Sequence, residues 1–155
     1  MEISDNYDLN VRPKDDGLQI TDFRKGDFEW WYFDLHDQGS GCFLKIVLHI
    51  GTDPLRSKVF PQLALSINTP ESNESYSWQF NFSELQADPL RCNISVGDNI
   101  NIWSENNEIT RYFIQIDIPY FKCNFRFKSE LPGWKPESYK TLHQSGKKKC
   151  EFYWV

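Results

Sequence analysis

The chain has 155 residues, 39% hydrophobic and 25% charged, which is enough for one domain with a real core and too few for two ordinary ones. A formal net charge of −5 argues against a broad nucleic-acid-binding surface, which needs a basic stripe. No apolar run approaches the roughly 18–20 residues that span a bilayer, and the first residues lack the basic and apolar regions of a signal peptide, so a cytoplasmic location is expected.

Aromatic residues, at 16%, are the informative excess, while strong helix formers such as Ala and Met are scarce. This composition favours sheets. Residues 1–20 are polar and irregular, with Pro13 and the turn signal Lys14-Asp15-Asp16-Gly17, and read as an extended lead-in across the domain. The stretch Phe28-Glu29-Trp30-Trp31-Tyr32-Phe33-Asp34 follows and reads as a strand to about His36. Alternation puts Glu29, Trp31, Phe33 and Leu35 on one face, with Trp30, Tyr32, Asp34 and His36 on the other. Asp37–Gly41 is a turn, and Cys42 to Ile50 is the returning strand. Pairing His36 with Cys42 predicts Glu29 opposite His49, Trp31 opposite Val47 and Phe33 opposite Lys45. A carboxylate, an imidazole and an ammonium then share one aromatic face.

Further strands are predicted over Gln62–Asn68, Ser75–Ser83, Arg91–Val96, Asn99–Ser104, Glu108–Ile118 and Tyr120–Lys128, with Ala87-Asp88-Pro89 as an interruption. Leu131 to Pro136 is expected to cap one end of the sheet. About eight antiparallel strands with short turns suggest an up-and-down β-barrel over residues 21–140, and a sandwich reads alike from the same pattern. Residues 141–155, with the run Lys147-Lys148-Lys149, read as a solvated tail or as the opening of a further unit. The four cysteines are widely spaced without a C-x-x-C pair and are expected to be structural thiols.

Glu29-Trp30-Trp31-Tyr32-Phe33-Asp34 resembles the E-W-W-Y-F-D signature of the carotenoid 1,2-hydratase (hydroxyneurosporene synthase) and AttH-like family. Arg12-Pro13 with Asp16 upstream, and Leu131-Pro132-Gly133-Trp134-Lys135-Pro136 downstream, add weaker matches. The resemblance implies an all-β, antiparallel, lipocalin-like barrel and covers the N-terminal lipocalin-like half only, since the family usually has two. Phe152-Tyr153-Trp154-Val155 is similar to the start of the strand that opens the second half. A homodimer, or pairing with a second lipocalin-like half, is the protein partnership this implies.

The family's enzymes add water to, or cyclise, long apolar isoprenoid or polyketide chains. Such a reaction starts by protonating an alkene, which calls for a carboxylic acid kept neutral by an apolar pocket and for rings that stabilise a cation. Glu29 and Asp34 are the candidate acids, with His49 to orient the acid or activate water. Trp30, Trp31, Tyr32, Phe33, Lys45, Trp78 and Tyr112 are the candidate ligand contacts. The chemistry implied is that of a cofactor-independent hydratase or cyclase. Large aromatics in a barrel wall also serve as plain core, so a non-catalytic carrier of an apolar metabolite is the competing expectation. The sequence carries no nucleophile elbow, phosphate loop or zinc motif, and neither a cofactor nor a metal is expected.

Overall fold

The structure, a computed structural model, describes residues 16–20, 22–52, 58–106, 110–128, 141–145 and 148–152. Its order is β1 (Phe28–Asp37), β2 (Cys42–Thr52), β3 (Val59–Asn68), β4 (Asn73–Gln79), β5 (Leu85–Ala87), β6 (Asn93–Val96), β7 (Ile100–Asn106), β8 (Thr110–Ile118), β9 (Phe121–Lys128), β10 (Thr141–Ser145) and β11 (Lys148–Phe152). Strands β1 to β4 form one antiparallel meander and β5 to β9 a second; β10 and β11 pair as a hairpin of their own. The chain is all-β and antiparallel. Among the described residues no ladder joins the two larger sheets into one closed wall.

Alternation explains how the two sheets share a core. Ile46, Leu48 and Ile50 of β2 point inward with Leu63 and Leu65 of β3, all at or near zero exposure. Ile94, Val96, Ile100, Ile102, Ile114 and Ile116 face them from β6, β7 and β8 and belong to the same apolar cluster. These β-branched and Leu side chains supply most of the burial that holds the domain. On the outer face of the second sheet Trp103 stacks on Phe113 at 5.0 Å and 8°, and Arg126 lies 5.2 Å over the Phe113 ring. These three are neighbours across β7, β8 and β9. Each inner ring face in that row is taken by the next residue, so the row braces the sheet and offers no open platform.

Three expectations change here. Ser75–Ser83 is not one strand, because β4 stops at Gln79 and a single 3-10 turn, Phe82–Glu84, follows. The Asn81 N–H donates to the Glu84 carboxylate at 2.8 Å, and the Phe80 N–H donates to the Pro61 carbonyl at 3.0 Å. That local bonding turns the chain out of the first sheet before β5 opens the second. Ala87 belongs to β5, which pairs with β6 and is too short to show a period. Residues 141–145 and 148–152 pair as a hairpin, within the stretch read from the sequence as a solvated tail or as the opening of a further unit. The expected cap at Leu131 to Pro136 lies outside the described residues.

The third change is the register of the first hairpin. Asp37 pairs with Cys42, so Glu29 lies opposite Ile50, Trp30 opposite His49, Trp31 opposite Leu48, Phe33 opposite Ile46 and Asp34 opposite Lys45. The loop is one residue shorter than expected. Asp37 closes it: its carbonyl accepts the Gly41 N–H at 2.9 Å, and its carboxylate accepts the N–H groups of Gly39 at 3.1 Å and Ser40 at 3.2 Å. Gly41 takes the positive φ of 70° that the return needs. This shift moves His49 and Lys45 to the face opposite Glu29.

The β8–β9 hairpin turns through Pro119 and Tyr120, and Tyr120 sits at φ 71° with 97% of its surface exposed. That conformation costs a non-Gly residue about 1–2 kcal/mol, partly offset for glycine by its larger loss of chain entropy. Tyr120→Gly is therefore expected to raise stability by about 0.5–1 kcal/mol. Midpoints of chemical denaturation check this, and an unchanged or lower midpoint counts against it.

Candidate functional site

Residues 16–20 form a strap that touches both sheets. Glu29, pointing inward from β1, accepts the Gln19 N–H on both carboxylate oxygens at 3.0 Å and the Ile20 N–H at 3.0 Å. Trp31, on the same face, is 8% exposed and donates its indole N–H to the Asp16 carbonyl at 2.9 Å. From the second sheet, the Tyr112 hydroxyl donates to the Asp16 carboxylate. The Leu18 N–H donates to the Asp88 carbonyl at 3.0 Å, in the connection between β5 and β6. Gly17 is buried against that connection, and a Cβ on it would stand 2.6 Å from the Pro89 carbonyl atoms. Only glycine permits so close an approach.

The electrostatics follow from this enclosure. Burial pushes the Glu29 carboxyl above its ordinary value, against the opposing effect of the Gln19 and Ile20 N–H groups. Burial, and then the Asp16 charge and hydrogen bond, raise the Tyr112 phenol so that it stays protonated. Cys92, fully buried beside the pair, has its thiol pushed up to about 12 by burial and by Asp16. Neither Tyr112 nor Cys92 is poised to titrate as a base near neutral pH.

Tyr112 links the strap to a row of rings contributed by both sheets, here called the seam. The Phe33 ring meets Tyr112 edge-on at 6.0 Å and Phe127 at 5.7 Å, and Phe125 meets Phe127 at 6.3 Å. All four are half-buried, whereas the aliphatic side chains packed next to them are fully buried. Cys123, on the same face of β9, has its thiol pushed up to about 11 by burial and is a free thiol, as are Cys42 and Cys92.

The other candidates lie elsewhere. Trp30 and Tyr32, 39% and 49% exposed, stand on the outer face of the first sheet with Asp34, His49 and Lys45. Tyr32 donates its hydroxyl to Asp34 at 3.2 Å. The His49 imidazole lies over Gly51, and a Cβ there would come 2.5 Å from its Cε1 atom. Phe28 stacks on that imidazole at 6.0 Å and on Trp30 at 5.1 Å. Burial holds His49 below the usual histidine range, and its neighbours give it a packing role. Trp78 is half-buried, stacked on Tyr76 at 5.9 Å, and packs against the core from β4.

Of the residues singled out from the sequence, Glu29, Trp31, Phe33 and Tyr112 therefore meet at the strap and the seam. Trp30, Tyr32, Asp34, Lys45 and His49 face away from them. Cys92, Phe125 and Phe127 are not among the residues singled out from the sequence, and Asp16 entered there only in a turn signal and as a flanking match. The alternation of Phe121, Cys123, Phe125 and Phe127 along β9 was the available signal for the rings. Among the described residues no group of three or more His, Cys, Asp or Glu could hold a metal ion, and no helix is long and apolar enough to cross a membrane. Comparisons with protein-family models, with curated proteins and with solved structures found no match.

Proposed function

We propose that the chain binds a long apolar molecule of isoprenoid or polyketide type at the seam between the two sheets, without transforming it. One observation carries this reading. Phe33, Tyr112, Phe125 and Phe127 converge and stay half-buried beside an aliphatic core that is fully buried. Four rings left partly accessible around one edge offer apolar area that a ligand would cover, and ligand sites are built this way. In the lipocalin-like barrel implied by the resemblance, the seam near β1 and β9 would be the place where the wall closes around the ligand.

The absence of chemistry in this reading rests on the two carboxylates. Both Glu29 oxygens accept strap N–H groups, and Asp34 stands on the outer face bonded to Tyr32. An acid that protonates an alkene must reach it, and Glu29 is committed to holding Gln19 and Ile20.

Titration with retinol, followed by quenching of tryptophan emission, tests the reading. Saturable binding is expected, with retinol recovered unaltered by chromatography. Phe127→Ala should weaken it by about tenfold or more, since a ring covered by the ligand contributes about 1.5–3 kcal/mol of contact, or about 10- to 150-fold in affinity. Trp30→Ala, on the outer face, should change the affinity by less than about twofold. The reading fails if binding does not saturate or if Phe127→Ala binds as wild type does.

A further inference from the structure

The geometry points to a hydroxyl at the polar end of the molecule held in the seam, recognised by Tyr112 Oη acting as an acceptor. This inference rests on the binding reading above and narrows its ligand class. Tyr112 is the ring of the seam that carries a hydrogen-bonding atom; Phe33 meets it edge-on and Phe127 is its cross-strand partner, both with hydrocarbon only. Its proton is already committed, because the hydroxyl donates to the Asp16 carboxylate. The phenolic oxygen keeps its lone pairs, and donating to an anion strengthens it as an acceptor.

The sign of the charge narrows the ligand further. A chain ending in a carboxylate would bring a second negative charge close to Asp16, where the low surrounding dielectric strengthens repulsion. It would also find no proton on Tyr112 to accept. An ether or a hydrocarbon end avoids the repulsion but donates nothing. A hydroxyl meets both conditions, since it is neutral and donates one hydrogen bond. Cys92, the other polarizable group beside the pair, is fully buried behind it and keeps its proton.

Three probes that differ only at one end separate these cases: retinol, its methyl ether and retinoic acid, each titrated into the wild-type chain. Retinol is expected to bind roughly fivefold to tenfold more tightly than the ether, the size of one net hydrogen bond, and more tightly than the acid. In Tyr112→Phe the preference of alcohol over ether should disappear. Equal affinity for alcohol and ether in the wild-type chain overturns this inference and leaves the binding reading standing, as does a preference that survives Tyr112→Phe. Tighter binding of the acid than of the alcohol also overturns it. Saturable binding of none of the three overturns both.

Discussion

Glu29→Ala is expected to lower stability by about 2–4 kcal/mol and to free the strap from the first sheet. Hydrogen bonds to a charged group contribute about 1.5–3 kcal/mol each, and two N–H groups depend on this one carboxylate, less the cost of holding it away from water. Chemical denaturation reads the loss, and amide exchange at Gln19 and Ile20 reads its location. A loss below about 0.5 kcal/mol, the scatter of ordinary surface substitutions, would show that the clamp is not what holds residues 16–20.

Glu29 also predicts a pH dependence with a definite sign. Its folded pKa is raised above the ordinary value of 4.5, because burial outweighs the N–H bonds. A raised carboxyl binds its proton more tightly in the fold than in the unfolded chain, so its contribution is complete below the ordinary value and declines as pH rises through the folded value. Glu29→Gln keeps the shape and removes the titration. The stability advantage of wild type over Glu29→Gln is therefore expected to be largest in acid and to shrink towards neutral pH. Denaturation of both chains at pH 4 and pH 7 measures it, and an advantage that grows with pH would reverse the sign.

Gly17→Ala is the second large expected effect, at about 2–3 kcal/mol, near the upper range for overpacking. The added Cβ would stand 2.6 Å from both the carbonyl carbon and the oxygen of Pro89, and 2.8 Å from the Asp88 oxygen. These are backbone atoms, so no side-chain rotation relieves the clash and the strap itself must move. Asp16 then leaves Trp31 and Tyr112, and retinol binding at the seam should weaken along with stability. Gly39→Ala is the control, since its nearest contact would be 3.5 Å from a flexible Asp37 oxygen in an exposed loop. Equal stabilities for the two variants would mean that the strap does not pack as closely as the distances indicate.

The two acids singled out from the sequence show why the site was only partly legible. Glu29 and Asp34 differ by an odd number of positions, so the pleat must send them to opposite faces. Their identical chemistry does not say which face is inward. The inward face is the one whose partners are Ile50, Leu48 and Ile46, and that depends on the register set by Asp37 in the turn. With His36 as the closing residue, His49 would have stood beside Glu29 as an active-site pair. With Asp37, it packs over Gly51 instead. Tyr112 was a candidate ligand contact on a predicted strand, but its partner Asp16 lies 96 residues away and no local pattern joins them.

Composition and period-two alternation alone determined the all-β, antiparallel character of this chain and most of its strands. These follow from side chains within a few residues of one another. The split into two sheets, the inward side of the first hairpin, the latch of Asp16–Ile20 onto both sheets and the convergence of Phe33, Tyr112 and Phe127 were decided by the tertiary structure. Their physical reason is shared. Each depends on a contact between distant segments, or on a one-residue choice in a turn, and a periodic pattern is blind to both.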